Sequence, residues 1–450
     1  MVPKISVIMP SFNVAGYIRT CMESVLGQNL SDIEVIAVDA GSTDGTWEIL
    51  EEFEKKDSRL RVIKSERKSY GYQVNQGISL AVGEFVAVAE TDDKIAPDAY
   101  EILYRVAQET GADYVKGVAE VFMETPVGED IRYEMRIYPK DQYEANEGRI
   151  TVIPKERPEL VLLDYYLWNG IYKREFAKRI RLNESAGAAY QDIGFMIQVH
   201  SNARLAVYLD KVVYYYRKDN VNSSCYNRKA FRYLAEEYHY VNQFLEKRGT
   251  KWQSACLCKM FRQMNARFQI MGQSGEFWQE AWGDILFLAK QIKIAVDQGL
   301  IARHMLDEGE WDDMECLLED PKQLFGRYEK TFRERKEPLQ KILNIVDIQE
   351  AVIFGCGKWG RFCHILLENR RRGAVLAYCD NNETIWETRV QGIPVLDPEK
   401  AVQKYPKAHY ILASKYNARE LKCQLKQMGI GDRSISEYTA GLDMQMMNIK

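Results

Sequence analysis

The sequence predicts an α/β protein in three parts: a mostly parallel sheet covered on both faces, a helical middle, and a second α/β domain. Two observations carry this reading. Short apolar runs alternate with stretches of helical periodicity between Ile5 and Ala89. Strand–helix repetition of this kind argues for a mostly parallel sheet covered on both faces. The alternation gives way to long helical stretches after Asn227 and restarts at Ala351.

Residues 5–9 form the first strand run, and Ile18, Cys21, Met22, Val25 and Leu26 then fall on one helical face. Residues 34–38 are the next strand, ending in the turn-rich segment Asp39-Ala40-Gly41-Ser42-Thr43-Asp44-Gly45. Trp47, Leu50 and Phe53 continue helically, 60–63 is a strand, Val74, Ile78 and Ala81 mark a helix, and 85–89 is a strand again. Residues 120–227 are mixed and loop-rich and continue the same domain. Residues 228–347 turn helical, with aromatic and charged stretches over 231–245 and 278–294. A strand returns at 351–354, followed by a helix over 359–368 and a strand over 374–378. The expected divisions are 1–227, 228–347 and 348–450, and 450 residues suit about three domains.

Apolar residues make up 46% of the chain and charged ones 28%, enough for at least one large core, which excludes a disordered or fibrous protein. The 61 Lys and Arg against 65 Asp and Glu leave a net charge of −4, which excludes a nucleic-acid binder relying on a bulk basic field. The nine cysteines contain no CxxC, Cys256 and Cys258 being the closest pair, and read as reduced, mostly packed thiols. The five histidines show no ligand spacing. No signal-peptide pattern precedes the first strand, and no apolar run approaches the ~20 residues of a membrane span. The expected location is the cytoplasm, with peripheral contact at the inner face of a membrane left open.

Ligands of open α/β sheets sit outside the carboxyl ends of the strands. The polar clusters fall there: Pro10-Ser11-Phe12-Asn13, Asp39 to Asp44, and Glu90-Thr91-Asp92-Asp93. Three carboxylates at one strand end repel one another, and a divalent cation held by oxygen ligands relieves that repulsion. The alternative is a solvated turn in which Asp92 or Asp93 caps a helix beginning near Pro97. Asp192 precedes a helical face of Phe195, Met196 and Val199, where an N-cap would also sit.

Together, residues 5–13, 38–46 and 90–93 resemble the successive motifs of family 2 glycosyltransferases, at similar spacing, within a likeness covering residues 3–225. The resemblance implies a GT-A fold, a Rossmann-like mixed sheet. It implies inverting transfer of a sugar from a nucleotide-sugar donor, a UDP-sugar favoured, to a hydroxyl of a glycan or glycoconjugate acceptor. Assembly of a bacterial surface polysaccharide is the implied setting. Pro10, Ser11 and Asn13 match the loop that holds the nucleotide, and Asp39 and Ser42 match the second nucleotide-side loop. Glu90, Asp92 and Asp93 match the region that meets Mn2+ or Mg2+ beneath the diphosphate, with Asp92 the foremost ligand. Asp192 matches the base that takes the acceptor proton. Trp168 matches a segment on the acceptor side and Arg217 ends a strand where its donors would meet phosphate oxygens; a core Trp and a surface strand end are the alternatives. Three positions depart from the pattern: Glu90 replaces Asp, Ala40 replaces a second acidic residue that often contacts uracil, and Gln191 replaces the Glu that usually precedes the base.

Gly355-Cys356-Gly357-Lys358-Trp359-Gly360 follows a strand run and opens a helix, and Asp380 stands 20 residues after Gly360. Such a turn brings backbone N–H groups and a helix N-terminus against a pyrophosphate, making Gly355, Gly357, Gly360 and Asp380 a candidate second nucleotide site. A scaffold that keeps the glycines only for helix–strand packing is the alternative. With Gly392-Ile393-Pro394-Val395-Leu396-Asp397, this segment resembles the small Rossmann-like domains appended to bacterial sugar-modifying enzymes. Two other functions stay in view: an NAD-binding oxidoreductase or epimerase of nucleotide-sugars working from this loop, and a degenerate glycosyltransferase acting as a scaffold.

Overall fold

In a computed structural model of the chain, the described residues are 2–124, 131–187, 189–220, 227–414 and 417–439. They divide into two compact units: Met1–Phe122 with Arg132–Met271 and Glu276–Phe325, and Met123–Ile131 with Gly272–Gly275 and Gly326–Lys450.

The first unit is built on strands β1 (Ile5–Ser11), β2 (Ile33–Asp39), β3 (Leu60–Lys64), β4 (Phe85–Val88), β5 (Lys94–Ile95), β6 (Tyr114–Met123), β7 (Ile131–Met135), β8 (Arg149–Val152), β9 (Gly170–Lys173) and β10 (Ala206–Arg217). They form one mixed sheet in the order β3-β2-β1-β4-β9-β6-β10-β5, with β7 beside β6 and β8 beside β10. β3, β2, β1 and β4 run parallel, and β9 runs antiparallel between β4 and β6. The period of two sends alternate strand residues to opposite faces, and apolar residues serve both. Ile5, Val7, Met9, Val35, Ala37 and Ala87 point into one core, and Ile8, Ile36, Val38, Val86 and Val88 into the other. Helices Ile18–Leu26 and Ala99–Thr110 cover the first face through Ile18, Met22, Val25, Leu103 and Val106. Helices Tyr70–Leu80 and Gln191–Asn202 cover the second through Val74, Ile78, Phe195, Met196 and Val199.

Register then places the polar loops. Ser11 at the end of β1 pairs with Asp39 at the end of β2, and Ile8 pairs with Val88 at the end of β4. Three loops therefore leave the sheet side by side at the carboxyl ends of adjacent strands. Helices Ala230–Leu245 and Trp282–Asp297, and most of Thr250–Ser274, belong to this unit. No described helix is long and apolar enough to cross a membrane.

The second unit carries a six-stranded sheet of β11 (Ala351–Phe354), β12 (Val375–Cys379), β13 (Arg389–Val390), β14 (Ile393–Leu396), β15 (His409–Leu412) and β16 (Ile435–Glu437), in the order β13-β14-β12-β11-β15-β16. All neighbours are parallel except the β13–β14 pair. The glycine loop lies between β11 and helix Lys358–Arg370. A Cβ at Gly360 would stand 1.8 Å from the Gly355 carbonyl oxygen, so this glycine lets the helix close onto its own loop. One Asp380 carboxylate oxygen accepts the Cys356 N–H at 3.0 Å and the other the Asn382 N–H at 2.9 Å. The acid at the end of β12 thus pins the glycine loop from within. Gly360→Ala is expected to destabilise this unit by about 1–3 kcal/mol, because the obstacle is backbone. Thermal unfolding of the variant checks it: an unchanged transition would mean the loop relaxes freely.

Candidate active site

The first two loops are laced by their own side chains. The Asp39 carboxylate accepts the backbone N–H groups of Gly41 and Ser42, both at 2.9 Å, and the hydroxyls of Ser42 at 2.6 Å and Ser11 at 3.2 Å. Gly41 takes φ of +81°, the left-handed turn that brings those N–H groups back onto the acid. The Ser42 hydroxyl accepts the Asn13 N–H at 2.8 Å, and the Asn13 side-chain oxygen accepts the Thr43 N–H at 2.8 Å. Beneath them, the Gln73 amide donates to the carbonyls of Ser11 at 2.9 Å and Val38 at 2.6 Å. Pro10 is buried, and its carbonyl accepts the Thr91 hydroxyl at 3.1 Å, tying β1 to the acidic loop. Of the five residues expected to meet a nucleotide, Pro10, Ser11 and Asp39 are buried and shape the loops from inside. Asn13 and Ser42 reach their rim, beside Phe12 and Thr43.

The acidic segment does not cap a helix: the next helix is Ala99–Thr110, with Asp98 at its N-cap position. Nor do its three carboxylates converge. Among the described residues, no group of three acidic, His or Cys side chains is arranged to hold a metal. Asp93, expected as a metal ligand, is buried with one oxygen accepting the Tyr214 hydroxyl at 2.8 Å and the other the Arg217 N–H at 2.7 Å. It fastens the loop to β10. Glu90 accepts the Tyr70 hydroxyl, and its backbone N–H donates to the Tyr214 oxygen at 3.0 Å. Asp92 differs: one oxygen accepts the Asn220 amide at 2.7 Å, and the other meets no donor among the described residues. Arg217, expected at the diphosphate, instead clamps the loop. Its Nε donates to the Asp92 carbonyl at 2.9 Å, and it pairs with Asp219 at 3.1 Å.

Loss of solvent, and then the nearby Asp92 and Asp192 charges, push Glu90 up to about 8 against the Tyr70 hydrogen bond. Burial and the Asp92 charge likewise hold Asp93 well above the ordinary carboxylate range. Charge is crowded here, and one open carboxylate oxygen faces it. A cation that takes one protein carboxylate and completes its shell from substrate phosphates and water fits this donor set.

Asp192 is the second residue of helix Gln191–Asn202, two places beyond its N-cap position. The N-cap is Tyr190, at φ of +69°, and no side chain caps this helix end. Asp192 Oδ1 accepts the N–H of Ile193 at 2.9 Å. Dry surroundings push its carboxyl up to about 6, while that hydrogen bond and the charges of Lys259 and Lys116 pull the other way. Gln191 is buried and donates to the Ser185 hydroxyl at 3.1 Å, so the amide that replaces the family's acid holds the preceding loop. Trp168, expected at the acceptor, is only 6% exposed and stacks on Tyr214 with ring centroids 4.3 Å apart.

Residues 6–180 match the family described as Glycosyl transferase family 2. The chain is 31% identical over 222 residues to the putative glycosyltransferase EpsH of Bacillus subtilis, covering 48% of this chain and 61% of that protein. It is 30% identical over 249 residues to the uncharacterized glycosyltransferase YibD of Escherichia coli, covering 54% of this chain and 70% of the relative. This chain belongs to glycosyl transferase family 2.

A chondroitin synthase of Escherichia coli is 38% identical over 101 residues, 22% of this chain and 15% of that one. The solved structure of Staphylococcus aureus TarS 1–349 in complex with UDP-GlcNAc aligns over 66% of this chain and 92% of its own, at 20% identity and a TM-score of 0.40, too distant to bear on the site. The stretch matched to the family holds the three strand-end loops but stops short of Asp192. Sequence reasoning about this family 2 member missed Tyr70, Gln73 and Asn220, which hold Glu90, the first two loops and Asp92. Nothing local marks them, since each is one polar residue in an ordinary helix or loop. Tyr214 carried a faint signal as the first of three tyrosines ending β10.

Proposed function

We propose that the first unit transfers a sugar from a nucleotide-sugar, a UDP-sugar favoured, to a hydroxyl of a glycan acceptor with inversion at the anomeric carbon. The observation that supports this most is Asp92, one of whose oxygens meets no donor among the described residues, together with the Asp192 charge felt at the nearby Glu90 and Tyr70. This supports a metal-side carboxylate and an acid–base carboxylate acting in one site. The acceptor oxygen attacks the anomeric carbon, the bond from that carbon to the diphosphate oxygen breaks with its electron pair on the diphosphate, and the acceptor proton passes to Asp192. With its carboxyl near 6, Asp192 is ionised at neutral pH yet basic enough to hold the proton. Asn13, Ser42, Phe12 and Thr43 form the rim against which the nucleotide lies, fixed by Asp39 and Gln73. Asp92 would hold the Mn2+ or Mg2+, which supplies positive charge to the departing diphosphate.

Thermal unfolding of the full chain with UDP, GDP, CDP, dTDP or NAD, each with and without Mn2+, tests the reading. One nucleoside diphosphate at ~100 times its Kd should add about 2.7 kcal/mol and raise Tm by several degrees. The shift should need Mn2+ and vanish in Asp92→Asn. A shift with NAD alone, indifferent to metal, would move the chemistry to the glycine loop of the second unit.

A further inference from the structure

Lys259 lies in helix Thr250–Ser274, within the stretch to which the sequence assigned no chemistry, and is 3% exposed. Among the described residues its ammonium finds no hydrogen-bond acceptor and forms no ion pair; it lies over the ring of Tyr165. The charges around it are Asp192, Asp164 and Arg262. Arg262 is paired with Glu310 at 2.7 and 2.9 Å, and Asp164 is paired with Lys116. Asp192 is the remaining carboxylate, and it stands beyond ion-pair distance of Lys259. A buried amine without an acceptor is costly unless it loses its proton or a partner arrives.

The rings beside Lys259 show which part of the site it serves. Tyr165 meets Tyr166 at 4.2 Å between centroids, Tyr166 meets Trp168 at 4.9 Å, and Trp168 stacks on Tyr214 at 4.3 Å. Tyr214 in turn bonds Asp93 at 2.8 Å. A file of aromatic rings therefore runs from Lys259 to the acidic loop, and the Asp192 charge is felt at Tyr166 along it. Tyr165 and Tyr166 are half-buried, a wall suited to the face of a sugar ring.

We propose that Lys259 is the anion-binding group of the acceptor subsite, taking a carboxylate or phosphate oxygen of a negatively charged sugar whose hydroxyl is presented to Asp192. This rests on the transferase reading above, in which Asp192 faces the acceptor. The amine suits the task as a compact donor of three hydrogen bonds that gains its full charge when an anion arrives. Burial, opposed by the Asp192 charge, holds its pKa well below the usual lysine value in the absence of such an anion.

The test titrates methyl β-D-glucuronide, glucose 6-phosphate and methyl β-D-glucoside into the full chain by calorimetry. At least one anionic sugar should bind about tenfold tighter than the neutral glucoside, the scale of one hydrogen bond to a charged group. Which of the two does so separates a carboxylate from a phosphate. Lys259→Met and Lys259→Gln should each erase the preference, and Lys259→Arg should keep part of it. Absence of any preference in the wild-type chain, or its survival in both neutral variants, would overturn the inference. The Mn2+-dependent nucleotide shift is read on every variant. Loss of that shift in the wild type would sink the transferase reading, whereas its retention with an unchanged sugar preference would sink only the role of Lys259.

Discussion

Asp192→Asn is expected to lower kcat by about 100- to 10,000-fold while leaving the metal-dependent binding of nucleotide intact. The amide keeps the shape of the side chain at the start of helix Gln191–Asn202 but takes no proton. In the wild-type chain, kcat/KM should rise with pH through about 6 and level off above it, because only the carboxylate accepts the acceptor proton. The same shift acts on stability. The folded carboxyl holds its proton more tightly than the unfolded one, so ionised Asp192 costs stability above about 6, and the cost fades as pH falls to the ordinary carboxylate range. Asp192→Asn should therefore have a Tm equal to or above that of the wild type at neutral pH, converging with it in acid. Near-normal turnover in this variant would remove Asp192 from the reaction.

Asp164→Ala is expected to destabilise the first unit by about 3–5 kcal/mol, read from urea unfolding. Asp164 and Lys116 are fully buried and ion-paired, and Asp164 also accepts the Tyr208 hydroxyl at 2.9 Å. The Asp164 carbonyl meets His200 Nε2 at 2.7 Å, and His200 Nδ1 meets the Tyr114 hydroxyl at 3.0 Å. Removing the carboxylate leaves a buried ammonium with the Tyr166 carbonyl as its remaining protein acceptor. The double variant Asp164→Leu with Lys116→Met, which removes both charges, should recover most of the loss. If it does not, the pair does more than neutralise itself. The consequence reaches chemistry, because His200 sits on the same helix as Asp192 and anchors it to β6 through Tyr114.

The two variants differ in how visible their residues are in the sequence. Asp192 stands just before an apolar helical face, after a run of small residues, and both features are local. Asp164 follows four apolar residues and precedes two tyrosines, with nothing to mark it as the centre of a network. Its partners come from β6, β10 and helix Gln191–Asn202, and only the folded sheet brings them together. Asp93 shows the converse. Its neighbours in sequence made it one of three equivalent acids, yet Tyr214 and the Arg217 N–H occupy both its oxygens.

The order of amino acids alone specifies the strands, the helices that cover them and the three polar loops at their carboxyl ends. These follow from the spacing of apolar residues along the chain, which records which side of each element is dry. It also determined the family, through the motifs in those loops. The folded chain alone reveals that one Asp92 oxygen meets no donor among the described residues, that Asp39 closes on its own loop, that Arg217 clamps the acidic loop, and that Lys259 finds no acceptor among the described residues. Hydrogen bonds and ion pairs reach only a few ångströms, so a side chain's role depends on what the fold places within that reach: Asn220 at Asp92, Ser11 at Asp39 and the Asp92 carbonyl at Arg217 are far off along the chain and leave no pattern in the sequence around them.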